Sequence, residues 1–111
     1  MLGPVKGGAV VLAAGAGPVI VAEGIETALS LRDGLADLAP RVLAALSTSG
    51  VAGLCLPDCA GELIIGPDPD PAGMNAAETL ATRAHRAGWR VRILTPPGEG
   101  QDWNDHARGL A

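Results

Sequence analysis

Apolar residues in this chain cluster into short, unalternating runs punctuated by glycine and proline. After a Gly- and Pro-rich start, Ala9-Val10-Val11-Leu12-Ala13 reads as a strand. Beyond the turn at Gly15-Ala16-Gly17-Pro18, Val19-Ile20-Val21-Ala22 is a β-branched run without alternation, the pattern of a strand covered on both faces. From Ile25 the period changes. Ile25, Ala28, Leu29, Leu35 and Leu38 recur at helical spacing, which predicts a helix running to Gly34 or Ala39 and stopped by Pro40. Residues 41–46 predict the next strand, Ser47-Thr48-Ser49-Gly50 a loop, and residues 51–61 an irregular stretch with a turn at Pro57-Asp58.

Leu63-Ile64-Ile65-Gly66 is again an unbroken buried run. Pro67, Pro69 and Pro71 follow at alternate positions, which neither a central strand nor a helix interior tolerates, so a loop is expected beyond the strand's carboxyl end. Residues 72–87 carry Met74, Ala77, Leu80, Ala81 and Ala84 on one helical face, with Gly88 as the stop. A strand over 90–94, a loop over 96–100 and a short helix over 102–108 complete the series. There is no internal repeat and no low-complexity linker. The order of elements predicts an α/β fold, a mostly parallel sheet of about four strands flanked by helices, in a single domain over residues 1–111. So little polar sequence precedes the first strand that we expect this domain to be part of a longer protein.

Composition narrows the function. Of 111 residues 48% are apolar, nearly all Ala, Val, Leu and Ile, with two Trp and no Phe or Tyr, so an aliphatic core forms without staples. Lacking tyrosine, the chain cannot by itself cleave DNA through a phosphotyrosine and is not a complete topoisomerase. A net charge of −4 argues against a module that grips nucleic acid through its overall field, so template binding would need help from elsewhere. Cys55 and Cys59 are too few for a disulfide framework and lack the other ligands of a zinc site. The longest apolar stretch, residues 9–22, is broken by Gly15, Gly17 and Pro18 and is no membrane span. A cytoplasmic location is the expectation.

In open parallel sheets, ligands bind in the crevice beyond the carboxyl ends of the strands. Three acids fall there: Glu23 after one strand, and Asp68 and Asp70 after another. Hard divalent cations such as Mg²⁺ take carboxylate oxygens and keep waters, so two or three acids on adjoining loops suffice when substrate phosphates add ligands. Asp68 and Asp70, one residue apart in extended chain, would point the same way, and Gly73 would let the backbone turn closely into the helix. Each residue also has a purely structural reading. Asp-Pro pairs make ordinary turns, and either Glu23 or Glu26 suits the positive end of a helix dipole.

Taken together, Val19-Ile20-Val21-Ala22-Glu23-Gly24-Ile25-Glu26-Thr27-Ala28-Leu29-Ser30 and Ile65-Gly66-Pro67-Asp68-Pro69-Asp70-Pro71-Ala72-Gly73-Met74-Asn75-Ala76-Ala77 resemble the two motifs of the Toprim domain. Primases, topoisomerases, recombination mediators and certain nucleases share that domain. The resemblance is closest to the primases of phages and plasmids, often fused to a helicase. It implies that Glu23 acts as general base or metal ligand, that Asp68 and Asp70 bind Mg²⁺ or Mn²⁺, and that Gly24 and Gly73 support them. Pro96-Pro97-Gly98-Glu99-Gly100-Gln101-Asp102-Trp103-Asn104-Asp105 looks like the late acidic motif of primase Toprim domains. There Asp102 would be a further metal-site acid supported by Asn104 or Asp105, although a helix cap at Asp102 or Asn104 explains the same residues.

The activity so implied is primer synthesis on a single-stranded DNA template from nucleotides, with a helicase domain or subunit as a partner. A Toprim nuclease and a non-catalytic scaffold in recombination or repair are the alternatives. Arg83, His85 and Arg86 lie opposite the helix's apolar stripe and read as a solvated face. Arg90 and Arg92 alternate on a strand expected at the sheet's edge, and His106 reads as a surface residue.

Overall fold

The computed structural model describes residues 9–57 and 59–94. The loop expected over 96–100, the helix over 102–108 and with it Asp102, Trp103, Asn104, Asp105 and His106 lie outside the described residues, as does Asp58.

Five strands, β1 (Val10–Ala14), β2 (Val19–Ala22), β3 (Arg41–Ala44), β4 (Glu62–Gly66) and β5 (Arg90–Ile93), form one sheet in the order β1-β3-β2-β4-β5. The pairs from β3 through β2 and β4 to β5 are parallel. The sheet is thus the mostly parallel one expected, and the strand read at Ala9–Ala13 joins it as a fifth, β1, which adds to β3 antiparallel at one edge. A short Gly-rich turn joins β1 to β2, yet the two do not pair, since β3 lies between them. The turn hugs the entry to β3 through Gly15 N–H to the Pro40 carbonyl (3.1 Å) and Gly17 N–H to the Ala39 carbonyl (2.8 Å). A Cβ at either glycine would fall 2.0 Å from a carbonyl oxygen of Leu38 or Ala39, so only glycine permits this approach.

Among the described residues three α-helices cover the sheet: α1 (Ile25–Gly34), α2 (Thr48–Ala52) and α3 (Pro71–Arg86). Ala28 and Leu31 of α1 pack with Ile20, Val42 and Ile64 on one face. Val51 of α2 and Ala77, Leu80 and Ala84 of α3 pack with Val21, Leu63 and Ile65 on the other. Every residue of β2 is buried, as its unalternating sequence demands. Right-handed crossovers account for helices on both faces, because the chain steps one way from β2 to β3 and the other way from β4 to β5. The direction reverses between β2 and β4, which places the switch point of the sheet there.

Several local expectations are corrected. Thr48–Ala52, read as loop and irregular chain, is a helix, because the Ser47 hydroxyl accepts the Gly50 N–H at 2.9 Å and Val51 is buried in the core. β3 stops at Ala44 and does not reach Leu46, whose φ of 70° takes the chain out of the extended region. Arg83 is not merely solvated: its guanidinium donates to the carbonyl of Ala52 (2.6 Å), the last residue of α2, which the helix itself leaves without a partner, and to that of Leu54 (2.8 Å) just beyond the helix. His85 and Arg86 are exposed, and β5 is the edge strand on which Arg90 and Arg92 are the outward residues. Among the described residues no helix is long and apolar enough to cross a membrane.

Candidate metal centre at the switch point

Ala22 of β2 lies opposite Gly66 of β4 in the parallel ladder, so both chains leave the sheet at the same rim. Glu23 is the next residue of one chain, and Asp68 follows one proline later on the other. Glu23 precedes Gly24, the N-cap residue of α1, so Glu26 is the acid in the helix's first turn and Glu23 stays outside the helix. The Glu23 carbonyl accepts the Leu46 N–H at 2.6 Å, which ties its backbone to the end of β3 as well.

Asp70 is the N-cap of α3. Its backbone is extended (φ −120°, ψ 162°), Pro71 occupies the first turn, and Oδ1 accepts the Gly73 N–H at 2.6 Å. This capping role, which the sequence reading did not assign to Asp70, uses one carboxylate oxygen, and the other retains its lone pairs for a ligand. Gly73 is required by this loop: a Cβ there would sit 2.8 Å from the Asp68 carbonyl oxygen and 3.1 Å from the Asp68 Cβ. At Gly24, by contrast, a Cβ would meet nothing within 4 Å, so the space beside Glu23 is open.

The three acids are electrostatically coupled. The Glu23 carboxyl is held above its ordinary range first by desolvation, then by the negative charges of Asp68 and Asp70, and by a hydrogen bond with Asp68. Among the described residues the ion pairs are Arg32 with Asp33 and Arg92 with Glu62, so no basic side chain offsets this cluster. The donors are all carboxylate oxygens, the set a hard cation selects. Among the described residues no three His, Cys, Asp or Glu side chains close around a point tightly enough to cage an ion alone. Mg²⁺ does not need such a cage, since it binds through one or two carboxylates, waters and substrate phosphates, and Asp68 with Asp70 fits that demand. Cys55 and Cys59 are exposed and free.

Among the described residues the basic side chains lie elsewhere. An open groove of about 530 Å³ between α3 and β5 is lined by His85, Arg86, Val91 and Ile93, near the far end of α3. Arg86 is fifteen residues along that helix from Pro71, which puts it roughly 20 Å from the acids. Leu46, expected as the last residue of a strand, lies past the end of β3 on the same rim as Glu23, and an apolar residue there carries no sequence signal of a site.

A parallel α/β sheet with uncompensated carboxylates at its switch point defines the class: a module suited to hold a divalent cation where an anionic ligand can reach it. The family can be stated as well. The sequence profile of the Toprim domain matches residues 18–109, nearly the whole chain apart from β1, and the chain belongs to the Toprim family. Toprim domains typically bind Mg²⁺, and membership implies a metal-dependent function on nucleic acid in general terms. No curated protein and no solved structure shows significant similarity to this chain.

Proposed function

We propose that this Toprim domain is the catalytic core of a DNA primase and joins nucleotides on a single-stranded DNA template. The reading rests above all on the convergence of Glu23, Asp68 and Asp70 at one switch point, with the Glu23 carboxyl raised first by desolvation and then by its two neighbours. Asp68 and Asp70 would hold Mg²⁺ or Mn²⁺, with Asp102 as a third acid and Asn104 or Asp105 in support. When bound, the ion would neutralise charge on the triphosphate and align it for attack. Glu23 takes the proton of the 3′-hydroxyl onto its own carboxylate as that oxygen bonds to the α-phosphorus of the incoming nucleotide and pyrophosphate leaves. Gly73 keeps the Asp68 backbone close against α3, and the N-terminus of α3 presents its dipole to the phosphates. With a net charge of −4, the domain relies on other parts of a larger protein, a helicase among them, to hold the template.

The test is incubation of the protein with Mg²⁺ or Mn²⁺, labelled single-stranded DNA and nucleotides. Strands that lengthen in wild type and not in Glu23→Gln are the expected result. Strands that shorten assign the same acids to water activation in a nuclease. Failure to bind Mn²⁺ at millimolar concentration, with nucleotide present, makes the domain a scaffold.

A further inference from the structure

Leu46 combines a strained backbone with an exposed apolar side chain. Its φ of 70° lies in the left-handed region, where a bulky side chain is an outlier and glycine would be at ease. Its side chain is 45% exposed, one of four large apolar residues so exposed among those described. The other left-handed non-glycine, Ala39, has only a methyl group to accommodate. Strained positions of this kind gather at functional sites, and Leu46 is at one: its N–H is bonded to the carbonyl of Glu23. Ile25, two residues beyond Glu23, is also 45% exposed, and between them Gly24 leaves open space.

Across the rim the strand ends come in the order β3, β2, β4. Leu46 follows the first, Glu23 the second, and Asp68 with Asp70 the third, so the apolar flank lies about two strand spacings, roughly 10 Å, from the aspartates. An apolar flank beside a cation-binding flank complements a nucleotide, whose base is flat and weakly hydrated and whose phosphates are anionic. We propose that Leu46, with Ile25, is the surface on which the base of a bound nucleoside triphosphate rests while its phosphates engage the metal held by Asp68 and Asp70. This rests on the metal-site reading above and adds a binding residue to it.

The proposal predicts that, with Mn²⁺ present, wild-type protein binds a nucleoside triphosphate more tightly than inorganic tripolyphosphate, because only the former has a base to place. Leu46→Gly should weaken the nucleoside triphosphate about fivefold to tenfold, the effect of partly burying one leucine, and leave tripolyphosphate unchanged. It should also melt no lower than wild type, because the strain is relieved. Leu46→Met should restore most of the nucleotide affinity. Equal binding of the two ligands by wild type, no detectable nucleotide binding, or unchanged nucleotide affinity in Leu46→Gly overturns the proposal. Loss of tripolyphosphate binding in Asp68→Asn reports on the metal site alone, so the two readings fail separately.

Discussion

Asp70 holds two roles that a pair of substitutions separates. Its Oδ1 accepts the Gly73 N–H at 2.6 Å and caps α3, while its charge belongs to the cluster that raises Glu23. Asparagine keeps a cap acceptor and removes the charge, and alanine removes both. Because both variants relieve the same repulsion, a few tenths of a kcal/mol for each neighbouring carboxylate at the surface, it cancels from their comparison. What remains is the cap, about 1 kcal/mol, or roughly 4 °C in Tm for a domain of this size. Asp70→Asn should therefore be as stable as wild type or slightly more so in EDTA, with Asp70→Ala about 1 kcal/mol below it by urea denaturation. Titration calorimetry with Mn²⁺ should show the opposite grouping. Both variants should lose about tenfold or more in affinity, since a contact to a charged group is worth roughly 1.5–3 kcal/mol. Wild-type Mn²⁺ affinity in Asp70→Asn would refute the metal role and leave Asp70 a cap. Equal stability of the two variants would refute the cap.

Two further outcomes follow from the site and its support. In metal-free protein the folded state holds the Glu23 proton more tightly than the unfolded chain does, so its contribution is fully present below the ordinary value of 4.5 and is lost as pH rises through the raised folded value. Glu23→Gln should flatten that stretch of the stability profile and melt above wild type at neutral pH in EDTA; a lower melting temperature there contradicts the crowding of the three acids. Arg83→Ala should cost about 1–3 kcal/mol by urea denaturation, since it strips the carbonyls of Ala52 and Leu54 of a charged donor, and Arg83→Lys should recover less than half for want of the planar fork. Stability within about 0.5 kcal/mol of wild type would return Arg83 to the solvated face.

What the sequence made legible was whatever depends on a strand's own burial. Val19–Ala22 and Leu63 to Gly66 read as strands covered on both faces because every residue is apolar, and the alternate prolines after Gly66 force a loop; the rule for parallel sheets then brings Glu23 and the aspartates to one crevice. What stayed hidden depends on partners distant in the chain. A five-residue helix such as α2 is too short to display a period, and it forms because Ser47 caps it and Val51 finds the core. Arg83 finds its acceptors about thirty residues back, and β3 slips between β1 and β2 although only a short turn separates those two. Leu46 combines both lessons. Its left-handed backbone falls between the end of β3 and the Ser47 cap, and nothing in an Ala-Ala-Leu-Ser run announces it. Charge marks a candidate metal site in sequence because acids at strand ends are otherwise costly to gather. An apolar residue at the same rim is invisible until the fold exposes it, so the half of the crevice that would receive a base had to be read from backbone strain and exposure.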